Sequence, residues 1–274
     1  MFNEILSNVH KITPLVHCIT NYVTVNDCAN IILASSASPV MADDAEEVED
    51  ITSIANSLVI NLGTLNTRTI NSMIIAGKKA NELNHPVILD PVGVGASTFR
   101  TNTALNLLKE INFSVIRGNI SEIKTLLDNT NTTKGVDANE NDAITLSNLN
   151  TVINIAKELS HKSNSIVAIT GAIDVVTDGS KTYIIKNGHK LMSKVTGTGC
   201  MSTAVIGSFC GGNPNNILEA TVTALCSMGL CGELSYEKIS KLDEGTSSFK
   251  TYLIDFMSKM DYTLLSGGAK YELR

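Results

Sequence analysis

The sequence contains no CxxC pair and no cysteine–histidine cluster at metal-ligand spacing. Its six cysteines, Cys18, Cys28, Cys200, Cys210, Cys226 and Cys231, stand apart, which excludes the common structural zinc sites. It also lacks any block of lysine or arginine. The 21 basic residues are scattered among 27 acidic ones, for a net charge of −6, which argues against a nucleic-acid or anionic-membrane surface. Any phosphate must therefore be held by local geometry and not by a general positive field. There is no charged segment leading into an apolar signal region, and no apolar run of transmembrane length is evident. A cytoplasmic, reducing setting with free thiols is the expectation, most of the thiols serving as small core hydrophobes. Neither an internal repeat nor a low-complexity linker divides the chain. Residues 1–274 read as one domain, with the Asn/Thr-rich stretch 128–143 as a surface loop.

What is present is an apolar majority suited to a large core: 43% hydrophobic against 18% charged residues. Short β-rich runs at 14–19, 57–63, 86–93, 113–119 and 165–171 show little polar alternation, as in strands covered on both faces. Helical patterns at 23–36, 66–83, 102–111, 119–128 and 146–162 lie between them. This alternation predicts βαβ units, a mainly parallel sheet and helices on both faces. After residue 171 the pattern changes to a hairpin over 175–190, turning at Asp178-Gly179, then helices near 198–211, 214–237 and 243–260.

In such sheets ligands bind beyond the carboxyl ends of the strands. Polar residues and glycines gather there: Asn61-Leu62-Gly63, Asp90-Pro91-Val92-Gly93, Arg117-Gly118-Asn119 and Thr170-Gly171. The Gly197-Thr198-Gly199-Cys200 turn opens a helix whose first N–H groups could converge on an anion, or Thr198 could be a simple N-cap. Asn119 and Glu122 fit a capping arrangement, and with Asp90 they could equally hold Mg²⁺ through waters. Arg117 could pair with phosphate oxygens, and Thr170 could meet the same group. Asn21, Val23 and Met41 mix amide and apolar character, as in a pocket for a small heterocycle. Asp174 and Asp178 read as turn residues, and the histidines suggest no role.

The stretches NYVTVNDCAN, SPVMADDAEE, LDPVGVGAS, IRGNISEI, AITGAIDVVTDG and VTGTGCMSTA together resemble the hydroxyethylthiazole kinase family, the thiamin-salvage branch of the ribokinase-like superfamily. The resemblance covers essentially the whole chain, in order. It implies a three-layer α/β/α ribokinase-like domain without a separate lid domain. It implies transfer of a phosphoryl group from ATP, with Mg²⁺, to the hydroxyl of 4-methyl-5-(2-hydroxyethyl)thiazole. It also implies a homotrimer with active sites at subunit interfaces. Carried over, Arg117, Thr170 and Asn119 serve ATP, and Glu122 and Asp90 serve the metal. Met41, Gly197, Asn21 and Val23 serve the thiazole, while Gly197, Thr198, Gly199 and Cys200 form the anion hole and catalytic turn. The wider superfamily places an Asp, the proton acceptor, where this chain has Cys200, a residue the thiazole-kinase branch carries. That departure speaks against a hydroxymethylpyrimidine kinase or a repair dehydratase on the same fold. A sensor without turnover is the non-enzyme alternative. The expected duty of Cys200 is to orient the hydroxyl and accept its proton late, without a covalent intermediate.

Overall fold

The computed structural model describes residues 1–128 and 144–274; the expected loop at 128–143 falls almost wholly outside them. The chain runs α1 (Phe2–Ile12), β1 (Leu15–Ile19), α2 (Val25–Ala34), β2 (Ser38–Val40), α3 (Val48–Ile54), β3 (Ser57–Asn61), α4 (Thr67–Glu82), β4 (Val87–Asp90), α5 (Thr98–Glu110), β5 (Val115–Gly118), α6 (Ile120–Asp128) and α7 (Leu149–Ser163). It continues through β6 (Ile166–Ile169), β7 (Asp174–Thr177), β8 (Thr182–Ile185), α8 (Thr198–Gly212), α9 (Ile217–Leu242), α10 (Thr246–Met257), α11 (Tyr262–Gly268) and β9 (Tyr271–Leu273). The nine-stranded sheet has the order β2-β1-β3-β4-β5-β6-β7-β8-β9. Pairings from β2 through β6 are parallel and those from β6 to β9 antiparallel.

Strand side chains alternate between two cores, following the period of two along a strand. Val59, Ile88, Val115 and Ala168 face α1, α2, α8, α9 and α10. Leu58, Ile60, Leu89, Ile116 and Ile169 face α4 to α7. This is the expected three-layer architecture. The hairpin turns at Asp178, whose Oδ1 accepts from the N–H groups of Ser180 and Lys181. It ends sooner than expected, and Lys190–Lys194 forms a short 3₁₀ helix instead.

Three elements were not anticipated. Helix α1 buries Phe2, Ile5, Leu6 and Val9 at helical spacing. Helix α11 and strand β9 finish the sheet, β9 pairing with β8 through Tyr271 and Leu273. The expectation of no apolar run of membrane-crossing length is corrected by α9. Among the described residues it is the one helix long and apolar enough to cross a membrane, and it is mostly buried within the fold. It packs between α8 and α10, so its apolarity is that of a core helix.

Helix α8 is buried from Met201 to Gly212. It sits so close to β3 that a Cβ on Gly207 would lie 2.5 Å from Val59 Cγ2. Ser57 Oγ donates to the Gly207 carbonyl at 2.8 Å. Close docking on β3 aims the amino end of α8 at the carboxyl ends of β3, β4 and β5.

Candidate active site

Asn61 and Asp90 close β3 and β4 as register partners. Asp90 is fully buried. Its Oδ2 accepts from Asn61 Nδ2 and from Thr203 Oγ1, each at 2.8 Å. Its Oδ1 has no hydrogen bond and lies 3.6 Å from Arg117 Nη1. Burial pushes the Asp90 carboxyl up, opposed first by the charge of Arg117. Arg117 Nη2 donates to Thr170 Oγ1 at 2.6 Å, and Nε is buried without a partner. The guanidinium is thus held between two strand ends with donor capacity in reserve.

Opposite this pair stands the mouth of α8. Gly197 precedes the helix at φ +91°, a conformation that side chains rarely adopt. The N-cap reading of Thr198 does not hold. Thr198 is the first helical residue, and its Oγ1 turns back to donate to the Met192 carbonyl at 3.0 Å. Gly197 takes the cap position without any side-chain cap, and Met201 is the first N–H to bond, donating to the Gly197 carbonyl at 2.8 Å. The N–H groups of Thr198, Gly199 and Cys200 find no backbone acceptor among the described residues. A Cβ on Gly199 would lie 2.8 Å from Arg117 Nη1. Open N–H groups, the positive end of the helix dipole and a guanidinium converge here, as an anion site requires.

Cys200 borders the same space. Its Sγ accepts from Asn21 Nδ2 at 3.3 Å and Asn61 Nδ2 at 3.4 Å. Burial, then the charge of Asp90, pushes the thiol up, so it carries its proton at neutral pH.

The Asn119–Glu122 capping arrangement is formed. Asn119 Oδ1 accepts from Glu122 N at 2.9 Å, and Glu122 Oε2 accepts from Asn119 N at 2.8 Å. Glu122 Oε1 accepts from Gly93 N at 2.9 Å, tying α6 to the loop after β4. Burial, then Asp90, pushes Glu122 up to about 7. No group of three or more His, Cys, Asp or Glu side chains placed to hold a metal ion occurs among the described residues. A dedicated protein cage for a metal is thus not present there. The donor set still fits Mg²⁺, which keeps waters and binds through one or two carboxylates plus phosphate. Asp90 Oδ1 is the buried acceptor without a partner that such an ion would use.

Of the residues expected around the heterocycle, Asn21 joins the Cys200 network. Met41 follows edge strand β2, half-buried, and Val23 is 57% exposed; neither enters that network. His17 is a structural brace. Its ring bonds Thr52 Oγ1 and the Ala42 carbonyl, fastening the segment after Met41 to β1. A cavity of about 340 Å³ lined by Ser114, Ser160, His161 and Asp178 opens at the other end of β5 and β6 and shares no residue with the cluster.

Asp174 is structural, as expected, and it titrates. Its Oδ1 accepts from Gly171 N at 2.9 Å, and burial pushes it up to about 7 from 3.8. The folded state then holds a proton that the unfolded state releases. Its contribution to stability is full below about pH 4 and is lost as pH rises through about 7. The melting temperature of Asp174→Asn relative to wild type is expected to climb between about pH 4 and 7 in thermal scans. A difference that stays flat contradicts this assignment.

Residues 6–263 match the Hydroxyethylthiazole kinase family. The hydroxyethylthiazole kinase of Clostridium acetobutylicum is 56% identical over 272 residues, covering 99% of each chain. The structure of a hydroxyethylthiazole kinase from Pyrococcus horikoshii superposes with a TM-score of 0.89 at 36% identity, covering 100% of this chain and 98% of that one. A ribokinase-like superfamily protein from Enterococcus faecalis shares the fold alone, with a TM-score of 0.57 at 13% identity over 93% of this chain and 88% of that one.

Proposed function

The chain belongs to the hydroxyethylthiazole kinase family, and from that premise we propose that it transfers the terminal phosphoryl group of ATP to the hydroxyl of 4-methyl-5-(2-hydroxyethyl)thiazole, with Mg²⁺, in thiamin salvage. The observation that carries the reading is the convergence of three open N–H groups, the Arg117 guanidinium and Cys200 on one space.

In the reaction the alcohol oxygen forms a bond to phosphorus while the bond to the ADP oxygen breaks and its electron pair leaves with ADP. The transition state is loose, so positioning and charge stabilisation supply most of the acceleration. The N–H groups of Thr198, Gly199 and Cys200 receive the equatorial oxygens of the phosphoryl group. Arg117, steadied by Thr170 and Asp90, pairs with oxygens of the polyphosphate. Bound Mg²⁺ would neutralise charge on those phosphates, with Asp90 and, through the Asn119–Glu122 pair, Glu122 holding it and its waters. Cys200 and Asn21 border the acceptor hydroxyl, and the heterocycle extends toward Met41 and Val23. Met41 follows edge strand β2 and Val23 follows exposed Tyr22, the surface a homotrimer would cover. Free thiols throughout suit a cytoplasmic enzyme.

Mass spectrometry after incubation with ATP, Mg²⁺ and the thiazole alcohol should find its phosphate monoester, and absence of that product overturns the reading. Since the thiol orients the hydroxyl, Cys200→Ser should keep measurable turnover and Cys200→Asp should match or exceed wild type. General-base help is worth roughly 10²–10⁴-fold. A trapped phosphocysteine, or an inert but folded Cys200→Asp, would contradict this role.

A further inference from the structure

Asn61 ends β3 almost fully buried and bonds to four groups at once. Its Oδ1 accepts from Gly63 N at 2.8 Å and from Asn21 Nδ2 at 3.0 Å, while its Nδ2 donates to Asp90 Oδ2 and to Cys200 Sγ. The amide can face only one way. The Gly63 N–H can only donate, so the Asn61 oxygen must meet it and the NH₂ must meet the carboxylate and the sulfur. Asn21 is fixed in the same manner, its Oδ1 accepting from the backbone N–H of Thr24 at 3.1 Å. Two amide N–H groups therefore point at one sulfur.

We propose that Asn61 is a positioning residue of the transfer site: together with Asn21 it fills the acceptor side of the Cys200 sulfur, so that the thiol meets the acceptor alcohol as a donor and not as a base. A thiol sulfur that already receives two N–H groups has its own S–H left to offer. The S–H donates to the alcohol oxygen and orients it. The alcohol proton then leaves, late in transfer, to an oxygen of the transferred phosphoryl group, and Cys200 keeps its proton throughout. Burial and then Asp90 push the thiol up, against hydrogen bonds from Thr24 and Asn21 and the charge of Arg117, which pull it down, and the net direction is up. This division of labour replaces the expectation that Cys200 itself takes the proton. Cys200→Asp is still expected to work, by another route: the same two donors would hold an ionised carboxylate, which accepts the alcohol proton itself.

The catalytic part of this role rests on the kinase reading, so its test has one arm that needs neither ATP nor alcohol. Cys200 is the partly exposed thiol, the other five cysteines being buried. Its alkylation by iodoacetamide is followed by mass spectrometry against pH. Asn61→Asp replaces the donor isosterically, and the midpoint should rise by about one pH unit. An unchanged midpoint overturns the proposal. Should the added buried carboxyl prevent folding, the second arm uses Asn61→Ala, Cys200→Ala and the double variant. Asn61→Ala should lower kcat by about 10–100-fold in wild type, but by about threefold or less in the Cys200→Ala background. Equal losses in both backgrounds would mean that Asn61 serves only the scaffold, and would overturn the proposal. A wild type that phosphorylates no alcohol would sink the kinase reading instead, while the alkylation profile would still judge Asn61.

Discussion

Gly199→Ala is expected to lower kcat by roughly 10²–10³-fold, the scale set by loss of a preorganised donor to developing charge, with KM for the alcohol nearly unchanged. Helix α8 itself should lose no stability, and a modest fall in Tm is expected from the displacement of Arg117 away from Asp90 and Thr170. Gly199 lies inside α8 and has no positive φ, so the backbone accepts alanine, which favours a helix over glycine by about 1 kcal/mol. The added methyl instead meets Arg117, whose Nη1 stands 2.8 Å from its place. The guanidinium must move off the helix mouth, and the methyl itself occupies part of the anion space. Steady-state kinetics beside a thermal melt separates the effects. A raised KM with kcat intact would assign the turn to substrate binding and not to the transition state.

Asp90→Ala is expected to damage both folding and turnover. Asp90 is fully buried against Arg117, whose side chain is 13% exposed. Removing one partner of a buried pair leaves the other uncompensated, at a cost of about 3 kcal/mol or more. In a chain of this size that corresponds to a fall in Tm of about 5 °C. Asn61 Nδ2 and Thr203 Oγ1 lose their shared acceptor at the same time. Turnover should drop by at least about 10²-fold, because Arg117 and Asn61 both take their positions from this carboxylate. The double variant Asp90→Ala/Arg117→Leu should melt above Asp90→Ala alone, since the stranded charge is gone. A double variant that melts lower would show that the pair stabilises through something other than mutual compensation.

Much of this arrangement was legible in the sequence because strand ends are marked by chemistry. Buried parallel strands read as apolar runs, and Asn61, Asp90, Arg117 and Thr170 follow them as polar interruptions. The Gly-Thr-Gly turn was legible as an anion cradle or a cap, and the direction of the Thr198 hydroxyl removes it as the cap. Which strand end touches which depends on strand order and register, and neither is written locally. Asn61 therefore read only as a strand end, although it is the bridge from Asp90 to Cys200. Thr203 was overlooked for a similar reason: a hydroxyl one helical turn beyond Cys200 looks like filling until the helix is docked on β4. Its distance along the chain from the mouth of α8 was the available signal. The apolar run of α9 shows the opposite limit, since only packing between α8 and α10 tells a core helix from a spanning one. Burial is the largest push on the Cys200 thiol, and composition does not report it.

Release of ADP, followed with a coupled assay across a small panel of alcohols, tests the central claim most directly. With ATP and Mg²⁺ supplied, the account predicts a signal with 4-methyl-5-(2-hydroxyethyl)thiazole and none with hydroxymethylpyrimidine or pyridoxal. Silence with every alcohol, or turnover of another alcohol in place of the thiazole, would contradict it.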